Sequence, residues 1–262
     1  MKGRRMLGAI TGDIVGSIYE GHNHKSKDFP FFGQGCTFTD DTVCTIAVAD
    51  CLMNDGDFAD FLRRYVRKHP YRGYGGMFRE WAGSNMGPYN SWGNGSAMRV
   101  SPVAHVARDE QELLDLAEQT SVVTHNHPDA VAGAQATALT MWMAKFGIDV
   151  AAIREEISNR FDYNLSPSVD DIRPSYRFDI SCAGTLPQAI TCALEGTDYE
   201  DAVRNAISIG GDADTIACIT GGIAEVMFGL PDEIADASLG YLTDDLIEVV
   251  DRFQSTKEET FP

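Results

Sequence analysis

Gly8, Gly12 and Gly16, spaced four apart, run through the first apolar stretch of the chain. Met6 to Tyr19 reads as a helix with Leu7, Ile10, Ile14 and Ile18 on one side and these glycines on another. Glycine within a helix costs about 1 kcal/mol relative to alanine. The compensation expected for three of them on one face is the close approach of a second helix. The segment therefore calls for helix-on-helix packing.

The same period dominates the rest of the chain. Cys44, Ala47, Val48, Cys51 and Leu52 form one apolar face, and Ile216, Ile219, Thr220, Ile223 and Met227 form another. Further helices are predicted over 57–68, 110–123, 128–145, 148–158, 185–195, 198–208, 231–238 and 243–254. Pro128 suits a first helical position, and Asp129 favours the positive end of the helix dipole. Alternation of the strand type is missing, and Val122-Val123 and Phe29 to Phe32 are too short to count. The expected fold is all-α, a compact orthogonal multi-helix bundle forming one domain over 1–262, with 255–262 as a frayed polar tail. Residues 20–40, 83–96 and 160–183 are rich in Gly or Pro and resist helix assignment. Loops of that length inside a domain usually bind something.

The chain carries 39 acidic against 21 basic residues, a formal charge of −18. Such a surface repels phosphate backbones, so non-specific nucleic-acid binding is not expected. It also draws divalent cations inward. The six cysteines form no CxxC pair and sit largely in apolar runs, as reduced thiols of a cytoplasmic protein would. Gly12 and Asp13 interrupt the first apolar run, which argues against a signal peptide. No stretch approaches the ~20 apolar residues of a membrane helix, and the expected protein is a monomer.

Two acidic turns stand out. Phe38-Thr39-Asp40-Asp41-Thr42 and Gly210-Gly211-Asp212-Ala213-Asp214-Thr215 each precede an apolar helix. Alone, either is explained by helix capping. Together Thr39, Asp40, Asp41, Asp212, Asp214 and Thr215 offer six oxygen-bearing side chains, enough to bracket two hard cations ~3.5–4 Å apart. Left empty, so many carboxylates would repel one another, and capping does not need two such clusters. Glu20 ends the glycine-faced helix, where a carboxylate could act as general acid or base or simply be solvated. Asp13, deeper in that helix, reads as structural.

Two stretches rich in small residues, Arg72-Gly73-Tyr74-Gly75-Gly76 and Asn90-Ser91-Trp92-Gly93-Asn94-Gly95, would let backbone amides approach a phosphate, although neither fits a Walker or Rossmann pattern. His125 and His127 lack a third soft ligand for zinc, which leaves a phosphate contact or a helix cap.

Taken in order, GDIVGSIYE, FTDDT, RGYGG, SWGNGSAMR, THNHP and SIGGDADT resemble the ADP-ribosylglycohydrolase family from about Gly8 to Gly229. The resemblance implies an all-helical fold with two Mg²⁺ or Mn²⁺ ions in a central cleft, held by Thr39, Asp40, Asp41, Asp212, Asp214 and Thr215. It implies ADP-ribose beside Ser91, Trp92 and Asn94, with Gly75 and Gly76 near the diphosphate and His125 as a phosphate contact. Proton transfer falls to one of Glu20, Asp40 or Asp214. Residues 160–183 match no family motif, with Tyr163, Tyr176 or Phe178 available to stack. The implied activity is hydrolysis of the glycosidic bond between ADP-ribose and a protein side chain or small acceptor. The alternatives are a non-catalytic ADP-ribose binder, a crystallin-like structural protein of the same fold, or a metal-dependent phosphohydrolase.

Overall fold

In the computed structural model, which describes residues 5–256, two helices carry the centre of the molecule. Helix α1 (Leu7–Gly16) is buried along its whole length. Helix α13 (Ala213–Phe228) is buried from Ala213 to Glu225. They touch through the glycine face. A Cβ on Gly8 would lie 2.4 Å from the Gly221 carbonyl oxygen, one on Gly12 1.9 Å from that of Ala217, and one on Gly16 2.5 Å from Asp214 Cα. Backbone meets backbone here, which is the close approach the glycine spacing calls for.

The other helices wrap this pair. Helix α2 (Asp40–Met53) and α14 (Asp232–Leu239) lie against α1, while α8 (Pro128–Lys145), α11 (Cys182–Leu194) and α12 (Tyr199–Ser208) lie against α13. Helix α3 (Phe58–Lys68) bridges α2 and α4 (Gly76–Gly83), and α15 (Asp244–Ser255) covers α2. Helix α7 (Glu110–Val122) and α9 (Val150–Phe161) flank α8, and the short α5 (Gly95–Met98), α6 (Ser101–Val106) and α10 (Val169–Ile172) fill the joints. Among the described residues there is no strand, only an isolated bridge between Gly93 and Ser181. The class is all-α, as the periodicity predicts. Buried apolar side chains from Met6 to Phe253 form a continuous cluster.

Many acidic residues serve as caps. The side chains of Asp57, Asp109, Asp149 and Asp198 accept from the backbone of α3, α7, α9 and α12 respectively. Each satisfies an amide that the helix itself leaves unbonded. Pro128 takes the first turn of α8, and His127 caps it, its Nδ1 accepting from Asp129 N.

Several boundaries differ from the sequence reading. Helix α1 ends at Gly16 rather than Tyr19, and Ser17 folds its hydroxyl back onto the Ile14 carbonyl. Gly76 opens α4 instead of lying in a loop, α10 interrupts 160–183, and α11 begins at Cys182. Helices of four to eight residues contain too few turns for a period to register. Residues 257–262 of the expected tail lie outside the described residues, and α15 runs to Ser255. No helix among the described residues is long and apolar enough to cross a membrane. All six cysteines are buried and free.

Candidate active site

The two acidic turns meet at the N-termini of α2 and α13, where the positive ends of both helix dipoles favour negative charge. Thr39 caps α2, with Asp40 and Asp41 in its first turn. Asp212 occupies the cap position of α13, with Asp214 and Thr215 following. The glycines at 210 and 211 have φ of 71° and 86°, and this left-handed backbone bends the chain so that Asp212 and Asp214 converge. A Cβ on Gly211 would also strike Tyr176 Cε1 at 2.6 Å.

The close contact of α1 with α13 adds a third element. Asp13, fully buried on α1, accepts from Thr39 N at 2.9 Å, Thr39 Oγ1 at 2.6 Å and Thr42 N at 3.1 Å, and from the Thr42 hydroxyl. It fixes the start of α2, so the structural reading of Asp13 holds. Yet it also belongs to the acidic cluster. Carboxylate oxygens of Asp13, Asp41 and Asp214 lie within 4.8 Å of one another, as do those of Glu20, Asp212 and Asp214. The two groups share Asp214. An aspartate in a helix that is otherwise small and apolar was the available signal, but its neighbours were not visible in the sequence.

Thr215 donates to Asp41 Oδ2 at 3.3 Å, and Asn94 Nδ2 donates to Asp212 Oδ2 at 2.6 Å. Asp41 Oδ1 is buried without a partner. Burial and then the charges of Asp13, Asp40 and Asp212 hold the Asp41 carboxyl well above its usual range. Asp214 is raised by burial, then by Asp41 and Asp212. Asp40, half-buried at the cleft edge, is pushed up to about 8 by burial and then by Asp13. Asp212 is raised by burial, against the bond from Asn94. Glu20, at the mouth, is raised by partial burial, then by Asp212 and Asp13. Buried, mutually repelling carboxylates with an orphan oxygen form a donor set that fits hard divalent cations. Thr39 spends its hydroxyl proton on Asp13 and stands beside the two groups.

Above the carboxylates opens a cleft of about 560 Å³. One wall is the start of α4. A Cβ at Gly75 or Gly76 would meet nothing within 4 Å, so the amide end of this helix is open to an incoming ligand. The opposite wall is 91–95 laid against 180–182. Cys182 N bonds to Trp92 O at 3.1 Å and Asn94 N to Ile180 O at 2.8 Å. Trp92, 49% exposed, and Phe178, 53% exposed, stand at the mouth. Of Tyr163, Tyr176 and Phe178, only Phe178 lines this cleft. Tyr176 packs on Gly211, and Tyr163 borders a separate hollow with Asp129.

His125 is buried in the cleft wall, its Nδ1 bonded to Thr124 Oγ1 at 2.7 Å. Burial and then Arg99 hold it well below the usual histidine range, so it is neutral. Thr124 can donate to Nδ1, which leaves Nε2 protonated and facing Gly93 and Gly95. Arg99, missed in the sequence reading, lies fully buried beneath this wall. Its Nη2 donates to Thr120 O and Thr124 Oγ1, while Nε and Nη1 have no partner. A fixed positive charge thus underlies the glycine-rich turn.

The model of the ADP-ribosylglycohydrolase family matches residues 5–260. Human ADP-ribosylhydrolase ARH3 is 24% identical over 92% of this chain and 90% of its own length. ADP-ribosylarginine hydrolase Tri1 of Pseudomonas putida (strain GB-1) is 26% identical over 86% of this chain and 70% of its own. Among solved structures, an ADP-ribosylglycohydrolase-related protein complex superposes with a TM-score of 0.68 at 21% identity, covering 97% of this chain and 95% of that one. At that identity the likeness supports the fold alone.

Proposed function

Because the chain belongs to the ADP-ribosylglycohydrolase family, we propose that it hydrolyses the glycosidic bond joining ADP-ribose to a protein side chain or small acceptor, at the base of this cleft. The observation that carries the reading is the pair of carboxylate groups sharing Asp214, set beneath a cleft whose wall is the open amide end of α4.

Asp41, Asp212 and Asp214, with Asp40, Thr39 and Thr215 at the edge, would hold two Mg²⁺ or Mn²⁺ ions. When bound, such ions supply Lewis acidity and orient sugar hydroxyls and a water. The chain's own groups do the rest. The Gly75 and Gly76 amides, the His125 Nε2–H and the buried Arg99 charge suit the diphosphate. Ser91 and Trp92 border the sugar, and Trp92 and Phe178 offer flat faces at the mouth. Asn94 serves from behind, through Asp212. As the glycosidic bond breaks, positive charge grows at the anomeric carbon, and the surrounding carboxylates stabilise it. Glu20, Asp40 and Asp214 are the candidates for proton transfer. Glu20 is favoured by its place at the mouth, where a leaving group departs, and by an acidity shifted toward the protonated form.

The test is release of free ADP-ribose from a panel of modified arginine, serine and acyl substrates, each with Mg²⁺ and with Mn²⁺. Asp212→Ala combined with Asp214→Ala should remove metal-dependent release. Unchanged release in that variant would refute the site. If the wild type binds ADP-ribose in calorimetry but releases none from any substrate, the protein is a binder rather than an enzyme.

A further inference from the structure

Among the described residues, Asp212 is the one member of the carboxylate cluster held by a side-chain amide. Asn94 Nδ2 donates to Asp212 Oδ2 at 2.6 Å and to Thr185 Oγ1 at 3.2 Å. Thr185 Oγ1 in turn donates to the Asp179 carbonyl at 3.2 Å. The direction of this chain follows from the donors available when Asp212 is ionised. An amide nitrogen has two hydrogens, and here each has one acceptor. The Thr185 hydroxyl, already accepting, keeps its single hydrogen for Asp179. With Asp212 ionised, as cation binding requires, turning the Asn94 amide over would set its oxygen against a carboxylate oxygen, two acceptors with no hydrogen between them.

The anchor is stiff. Asn94, Thr185 and Asp212 are all buried. Asn94 is gripped on both backbone sides, its N–H donating to Ile180 O and its carbonyl accepting from Ala97 N and Met98 N. Thr185 sits in the first turn of α11, whose cap is Ser181. Asp179 lies between Phe178 and Ile180, both of which line the cleft. The chain of bonds therefore runs from the cleft wall to a carboxylate at its base.

We propose that Asn94 and Thr185 are positioning residues that set the Asp212 carboxylate for cation binding and tie it to the 178–180 wall. This rests on reading the carboxylates as a cation site. Groups that orient a metal-binding side chain typically change affinity 10- to 100-fold when removed.

The experiment is calorimetric titration of Mn²⁺ alone into metal-free wild type, Thr185→Val, Thr185→Ser and Asn94→Ser, each also melted without metal. Thr185→Val keeps the shape and loses the hydroxyl, and it should weaken Mn²⁺ binding at one site by about tenfold or more. Thr185→Ser keeps the hydroxyl and should restore wild-type affinity within about twofold. The Mn²⁺ concentration for half-maximal ADP-ribose release should move with the calorimetric affinity. If Thr185→Val does not fold, Asn94→Ser, which cannot reach both acceptors, carries the same comparison. A purely structural role predicts the opposite pattern, a lower metal-free melting temperature with unchanged Mn²⁺ affinity, and overturns the proposal. A wild type that takes up no Mn²⁺ removes the cation site itself, and the positioning role with it. A wild type that binds Mn²⁺ no more tightly than the valine variant removes the positioning role alone.

Discussion

Thr215 donates its hydroxyl to Asp41 Oδ2 across 3.3 Å, joining two acidic turns that lie 174 residues apart in the chain. The bond leaves Asp41 Oδ1 buried and unpartnered. The turns are thus locked together, yet each brings buried carboxyls whose ionisation the surrounding protein opposes.

Asp41→Asn tests that balance. Without metal, removing a carboxyl whose ionisation is opposed by burial and by its acidic neighbours should raise the melting temperature at neutral pH above that of the wild type. With Mn²⁺ the order should reverse. A ligand at about 100 times its Kd stabilises the folded state by about 2.7 kcal/mol, and the variant should gain much less. Equal gains in a differential scanning experiment would contradict a role for Asp41 in cation binding.

Gly12→Ala sets a helix gain against a clash. Alanine improves helix propensity by about 1 kcal/mol, but its Cβ would lie 1.9 Å from Ala217 O. That oxygen belongs to the backbone and cannot swing aside. Overpacking typically costs about 1–3 kcal/mol, and with a fixed backbone atom at 1.9 Å the upper end applies, so after the propensity gain a net loss of up to about 2 kcal/mol is expected in urea unfolding. Gly222→Ala, whose nearest contact would be 3.4 Å from Ser101 Cβ, should be neutral or mildly stabilising.

His105 and Glu225 form a buried pair, Nε2 to Oε2 3.9 Å, remote from the cleft chemistry. Burial, then Lys145 and Arg5, lower His105 to about 3. Its contribution is complete above the unfolded value near 6.5 and is lost as pH falls from there toward 3, because the unfolded chain then binds more protons. Burial raises Glu225 to about 8. Its contribution is complete below the unfolded value near 4.5 and is lost as pH rises through 8. His105→Gln should flatten the acid limb of the stability profile, and Glu225→Gln the alkaline limb. Profiles that keep their wild-type slopes would show that the pair titrates normally.

Trp92→Ala separates binding from folding. The ring is 49% exposed at the cleft mouth, so the melting temperature should stay close to wild type. The Kd for ADP-ribose should rise about tenfold, or ~1.4 kcal/mol. An unchanged Kd by calorimetry would place the ligand elsewhere.

The long helices and the acidic turns were legible because their signals are local: a repeating apolar face, a capping aspartate, a glycine every fourth residue. Gly8, Gly12 and Gly16 announced a tight helix contact without naming the partner. The short helices α4, α5, α6 and α10 were not legible, since each is too brief to show a period. Asn94 was legible as a cleft residue, and it lines the cleft; that its amide donates to Asp212 and Thr185 was not. Asp13 read as structural, and it does anchor Thr39 and Thr42, but its membership of the carboxylate cluster depends on which helix lies against α1.

The amino-acid sequence by itself determined the all-helical class, the residues of both acidic turns and the need for close backbone contact along α1. These follow from periodicity and side-chain chemistry within a few turns of chain. Tertiary structure alone decided which carboxylates share space and which residues stand behind them. Asp13, Asp41 and Asp214 converge because α1 and α13 meet at glycine contact distance and Asp13 holds the start of α2. Convergence of that kind is a property of distances between elements remote in the chain, and no local pattern encodes it.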